Sequence, residues 1–257
     1  MIRLLNKIDF VSSASTRTEK KDQDMDKNNH YRASDKMSSL ICDNYVLLQV
    51  MSRFGLSLGF GDHTVSEVCK KYQVDCATFL AVVNFLIDDN EFRVDRKAPI
   101  SIAALMSYLK KAHNYFLQYQ LPSIREKLVV YLQYSDNQEI PFLILNFFDA
   151  YADELHKHME YENKHVFTYV NQLLEGRIVD NFNFANFASS HNQVDTKLTE
   201  LKDIIIKYLP TKGDNYHTNN MLFEIFACIQ DLDSHSRVED CIFVPAVLSL
   251  EKERKAS

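Results

Sequence analysis

The sequence predicts an all-α protein, with an up-down four-helix bundle over residues 99–250 preceded by a small helical domain over residues 39–95. Two observations carry most of that expectation. Only five Gly and five Pro occur in 257 residues, against 17 Phe and 13 Tyr, a balance that suits long helices with aromatic packing better than a loop-rich β fold. From about residue 100 onward, apolar side chains recur every three or four positions in four long stretches, with Gly or Pro near the links between them.

Taken in order, the first 38 residues read as a polar leader. The stretch SSASTRTEKKDQDMDKNNHYRASDKMS, residues 12–38, has almost no aliphatic side chains, so it cannot bury enough surface to offset the entropy of ordering. Its His30 has no evident role. Compact sequence begins near Leu40 with LICDNYVLLQVMSRFGL, a turn GFGD, and TVSEVCKKYQVDCATFLAVVNFLI, which together suggest two or three short helices. A charged link DDNEFRVDRKAP follows over residues 88–99, and Pro99 marks the start of the bundle.

The first bundle helix is expected over about residues 100–119, broken at Leu121 and Pro122 before a further helical stretch to Tyr134. The second is expected from Pro141 to Leu174, with Gly176 as its stop. The third spans about residues 183–208 ahead of Pro210, and the fourth about residues 217–248.

Polar residues interrupt the apolar stripes at inward positions. On the second helix the stripe is Leu155, Met159, Val166 and Val170, and His158 and Glu162 fall within it. On the third, His191 lies between Ala188 and Leu198 on the face that also carries Leu201 and Ile205. On the fourth, His235 and Glu239 stand among Ile225, Leu232 and Ile242. The first helix offers His113, on a stripe of Ile102, Leu105, Met106, Leu109 and Phe116. In each HxxxE pair the two side chains lie one turn apart on one face and can meet one metal centre. An isolated buried Glu costs several kcal/mol unless paired, protonated or coordinated. A shared metal site accounts for the whole set, with iron or manganese preferred to zinc for carboxylates and imidazoles projecting from facing helices. His156, Glu160 and His165 fall off the stripe and read as solvated.

Composition excludes other classes. A net charge of −6 and a pI near 5.8 give no overall basic field, and residues 39–95 hold four basic side chains (Arg53, Lys70, Lys71, Arg93) against eight acidic ones. Nucleic acid is therefore not an expected partner, although TVSEVCKKYQVDCATFL could be mistaken for a helix-turn-helix. No apolar run approaches about 20 residues, and MIRLLNKIDF lacks a signal-peptide core, so no membrane partner is expected. Five cysteines without a CxxC spacing fit reduced, mostly structural thiols in a cytoplasmic protein.

The segments LMSYLKKAHNYFLQYQLP, ELHKHMEYENKHVF and DLDSHSRVEDCIFVPAV, with the His191 region, resemble the ligand-bearing segments of hemerythrin-like proteins, in particular those that repair iron centres. The resemblance spans most of residues 40–248. It implies a carboxylate-bridged di-iron cofactor, with His158, Glu162, His191, His235 and Glu239 at ligand positions and the two Glu as bridges. Anchoring the first helix on Leu121 and Pro122 places Asn114 at the family's ligand position, whereas periodicity places His113 there, and we favour His113. A further family His has no counterpart in YLQYSDNQEIP. The N-terminal domain of the family carries a Cys pair, and Gly59 and Phe60 stand in its place here. The resemblance thus implies a metal-binding protein of cluster repair under nitrosative or oxidative stress rather than a conventional enzyme. Iron–sulfur proteins would be its partners, oxygen or nitric oxide its small ligands, and the N-terminal domain a dimerising or structural element. The alternative expectation is a metal or gas sensor with an incomplete site.

Overall fold

The computed structural model describes residues 30–87, 100–133, 139–177, 196–209 and 215–256, together with Phe182, Phe184 and Phe187. Tyr31–Ser257 form one compact unit. Among the described residues its regular structure is all helix apart from one isolated antiparallel bridge between Lys36 and Thr64.

Four short helices come first: α1 (Met37–Asp43), α2 (Leu47–Phe54), α3 (Val65–Lys71) and α4 (Cys76–Ile87). Gly55 ends α2 in the left-handed conformation, φ 79°, which only Gly adopts at little cost. Thr64 and Glu67 cap α3 reciprocally, each side chain accepting from the other's backbone N–H. The polar leader read through residue 38 gives way to fixed structure earlier. The Tyr31 backbone N–H donates to Asn84 Oδ1 at 2.8 Å and the Asn84 amide returns a bond to the Tyr31 carbonyl. The Met37 N–H donates to the His63 carbonyl, and the Met37 side chain is fully buried. Composition understates this segment because backbone bonds and two core-packed side chains, Tyr31 and Met37, fix an otherwise polar run.

The bundle follows as α5 (Ile102–Tyr115), α6 (Leu121–Leu132), α7 (Glu139–Tyr161), α8 (Phe167–Leu174), α9 (Thr196–Tyr208), α10 (Asn215–Val238) and α11 (Val244–Ala256). Helix α6 packs on α7, α7 on α9, α9 on α10, and α10 back on α6, which closes a four-walled ring. The part of the third wall expected before residue 196 lies outside the described residues, apart from buried Phe184 and Phe187.

Among the described residues, three of the walls contain a turn of π-helix: Phe116–Gln120 between α5 and α6, Glu162–Val166 between α7 and α8, and Glu239–Phe243 between α10 and α11. The first corrects the expected break at Leu121 and Pro122, since the helix runs straight through. A proline ring clashes with the carbonyl four residues earlier in an α-helix. For Pro122 that residue is Gln118 and for Pro245 it is Cys241, and both lie inside π-turns. The wider turn moves the obstructing carbonyl aside, so proline shapes the helix here without ending it.

The apolar interior falls into two clusters. One joins α1–α4 to Leu105, Leu109, Val166, Phe167, Val238 and Phe243; the other fills the remainder of the bundle with Phe116, Leu128, Phe148, Met159, Leu201 and Leu232. Helix α2 packs on α5 and α4 on α10. Arg53 of α2 is 3% exposed and donates to Asp231 of α10 at 2.6 Å. Its guanidinium lies over the Phe116 ring, 5.2 Å from the centroid. No helix among the described residues is long and apolar enough to cross a membrane.

Replacing one partner of a buried ion pair leaves a desolvated charge behind. Arg53→Met is expected to lower unfolding free energy by about 3 kcal/mol in urea titrations, and Arg53→Met with Asp231→Leu to recover most of it. The cysteines give a second check. Cys69 is buried, its thiol pushed up to about 12 by desolvation and by the neighbouring Cys76, whereas Cys42 is exposed. A thiol reagent at neutral pH should label Cys42 in the native protein and Cys69 only after unfolding.

Candidate metal centre

The two apolar clusters meet at a polar layer. Along α5 the sequence passes from Leu109 through His113 to Phe116; along the second wall from Met159 through Glu162 to Val166; along the fourth from Leu232 through His235 and Glu239 to Ile242. His113, Glu162, His235 and Glu239 are all buried, the two glutamates with no exposed surface at all. Helical spacing delivers each of them to the same level of the bundle.

The π-turns belong to this layer. Glu162 and Glu239 are each the first residue of one, and the third begins three residues after His113. Such turns spread successive side chains differently from an α-helix and occur often at functional sites.

His113 and His235 aim their Nε2 atoms at each other across 3.2 Å. Glu162 Oε2 lies 3.2 Å from His113 Nε2, and Glu239 Oε2 lies 3.6 Å from His235 Nε2. His113, Glu162 and His235 each offer one ligand atom within 4.8 Å of the others. At a metal–nitrogen distance of about 2.1 Å, two nitrogens at right angles around one ion stand about 3.0 Å apart and two at tetrahedral angles about 3.4 Å. The observed 3.2 Å falls between them, so the residues fit a transition-metal ion with a mixed nitrogen and oxygen shell.

The surroundings fix the imidazole orientations. The His113 ring stacks on Phe167 at 5.6 Å between centroids, and Phe116 meets the His235 ring edge-on at 5.8 Å. Behind His113, Nδ1 lies 3.0 Å from Asn163 Oδ1. A nitrogen that donates there carries its proton on Nδ1 and turns a lone pair at Nε2 inward. The His113 lone pair then faces His235 Nε2 and Glu162 Oε2, an arrangement that calls for a proton or a cation between them.

Glu162 reaches in two directions. Its Oε2 faces His113 of another wall while its Oε1 stands 2.9 Å from His158 Nε2 on its own helix. His158 is 26% exposed, the most accessible of these five side chains. Of the residues the sequence singled out, the structure thus brings together His113, His158, Glu162, His235 and Glu239. His191 lies outside the described residues. Asn114 is exposed, so periodicity and not the family alignment located the inward residue of the first wall. His156 and His165 are exposed, as their off-stripe positions imply.

Asn163 was missed. It directly follows Glu162, and on a regular helix adjacent side chains diverge by about 100°, which would direct it away from the layer. Residues 162 and 163 nevertheless reach opposite ring nitrogens of the same His113, and the π-turn starting at Glu162 is the local feature that accompanies this.

Residues 105–247 match the family model described as the Hemerythrin HHE cation binding domain. No curated protein matches the chain.

Replacing a buried carboxylate by its amide removes a charge at nearly constant shape. In the presence of a chelator, Glu162→Gln and Glu239→Gln should each melt at least as high as the parent chain, and up to several degrees higher. A fall in melting temperature for both would show that the carboxylates are structural.

Proposed function

Because the chain belongs to the hemerythrin HHE cation-binding family, more than half of its length matching that family's model, we propose that it is an iron-binding protein whose centre is held by His113, Glu162, His235 and Glu239, with His158 as its most exposed member. The observation that carries this reading is the convergence of His113, Glu162 and His235, each offering one ligand atom within 4.8 Å of the others, in a buried layer. Imidazole and carboxylate together suit iron or manganese, while the absence of thiolate from the set disfavours the softer ions.

Two ions are supported by the way Glu162 divides its oxygens, one toward His113 and one toward His158. Glu162 would then link the two ions, and Glu239, beside His235, would be the second such carboxylate. His191 is proposed as a further ligand on the sequence pattern. Iron bound in this layer would offer an open position to oxygen or nitric oxide.

The chain's own residues do the rest. Phe116, Phe167 and Phe243 make the layer apolar on its flanks, which strengthens the pull between a cation and the carboxylates and limits water access. His158, partly exposed, stands where a small ligand would enter.

Within that class we favour a role in maintaining iron–sulfur centres under nitrosative or oxidative stress, in line with the resemblance of the ligand-bearing segments. Sensing is a second reading, favoured by one observation: Arg53 ties the N-terminal helices to Asp231, one turn before His235 on the same helix. A change at the centre thus has a direct mechanical path to α2.

Anaerobic ferrous iron should raise the melting temperature of the full chain, by an amount that grows with iron concentration. His235→Ala should abolish that rise. An unchanged melting temperature across the titration would refute iron binding. Reactivation of a damaged iron–sulfur enzyme by the iron-loaded protein supports repair; a partner captured only in the metal-loaded state, without reactivation, supports sensing.

A further inference from the structure

Asn163 does something that neither the family match nor the ligand pattern assigns. Its Oδ1 stands 3.0 Å from His113 Nδ1, while its neighbour Glu162 reaches the other nitrogen of that ring. Histidines that hold metals usually donate their second N–H to a carboxylate, a backbone carbonyl or water, and that partner sets both the tautomer and the basicity of the ligand. Here the partner is a neutral side-chain amide.

We propose that Asn163 is a positioning residue that holds His113 as its Nδ1–H tautomer, with the Nε2 lone pair turned into the layer, and that its neutrality keeps His113 a weaker donor than a carboxylate partner would. This rests on the metal reading above for its second half only. Three features support the first half. The His113 ring is already clamped by stacking on Phe167, so its plane is fixed and the amide selects only the proton's position. His113 is buried, so bulk water is a poor substitute for the amide. The π-turn at Glu162–Val166 carries both residues, coupling the bridging carboxylate to the orientation of the facing imidazole.

The chemical consequence is a tunable affinity. An Asp at this position would share more negative charge with His113 and tighten the hold on a divalent cation, whereas an apolar side chain would release the tautomer. A site with an amide partner binds iron less tightly than the fold permits and exchanges it more readily, as an iron donor or a sensor requires.

The test uses the full chain with Asn163→Leu and Asn163→Asp. In chelator-treated protein, long-range proton–nitrogen correlation spectra read which nitrogen of His113 is protonated, with the signal assigned by its loss in His113→Gln. Competition with a chromophoric chelator under anaerobic conditions then gives the affinity for ferrous iron. We expect Nδ1–H in the parent chain, loss of that tautomer with roughly 10- to 100-fold weaker iron binding in Asn163→Leu, and binding at least as tight as the parent in Asn163→Asp. Nε2–H in the parent, or Asn163→Leu binding within roughly twofold of the parent, would overturn the proposal. Should circular dichroism show Asn163→Leu unfolded, Asn163→Asp decides alone, and weaker binding there would overturn it. If the parent binds no iron, the metal reading fails, while the metal-free spectrum still supports or refutes the positioning role.

Discussion

The fold is organised around the cost of burying charge. Glu162 and Glu239 have no exposed surface, and a carboxylate in that position is tolerated only where positive charge, protons or strong donors meet it. Everything else at this level answers that constraint. Two imidazoles face each other beside the carboxylates, His158 meets the outer oxygen of Glu162, and Asn163 steadies His113 from behind. The layer divides the apolar interior into two clusters, so the first, second and fourth walls pack on both sides of it and hold the polar groups in place.

A second buried charge extends this design to the N-terminal helices. Arg53 meets Asp231 and lies over Phe116, whose ring in turn meets His235. The guanidinium stays charged at any physiological pH and stacks well on aromatic faces. It therefore suits a junction where charge must be carried into an apolar interface. Helices α1–α4 consequently share one core with α5, α8 and α11, and their docking bears on the same wall that carries His235 and Glu239.

Much of this was legible in the sequence, because a helix converts spacing directly into direction. Leu155, Met159, Val166 and Val170 define a face, and His158 and Glu162 could only lie on it; the same logic placed His113 inward and Asn114 outward against the alignment with the family. Three features escaped. Pro122 was read as a break because the rule for proline assumes α-geometry, and a π-turn removes the clash on which that rule depends. Asn163 escaped because the π-turn sets aside the spacing argument at that point. Arg53 escaped because its partner is 178 residues away, and no local pattern announces a long-range ion pair.

The central claim is that the converging imidazoles and carboxylates exist to hold iron. The most direct measurement is an anaerobic titration of the metal-free chain with ferrous iron, followed by removal of excess metal, iron analysis and an optical spectrum after oxidation. The account predicts one or two retained iron ions per chain, with absorption bands typical of oxo- or carboxylate-bridged ferric ions if two are held, and none retained in a chain carrying both His113→Ala and His235→Ala. A parent chain that retains no iron, or a double variant that retains as much as the parent, would contradict it.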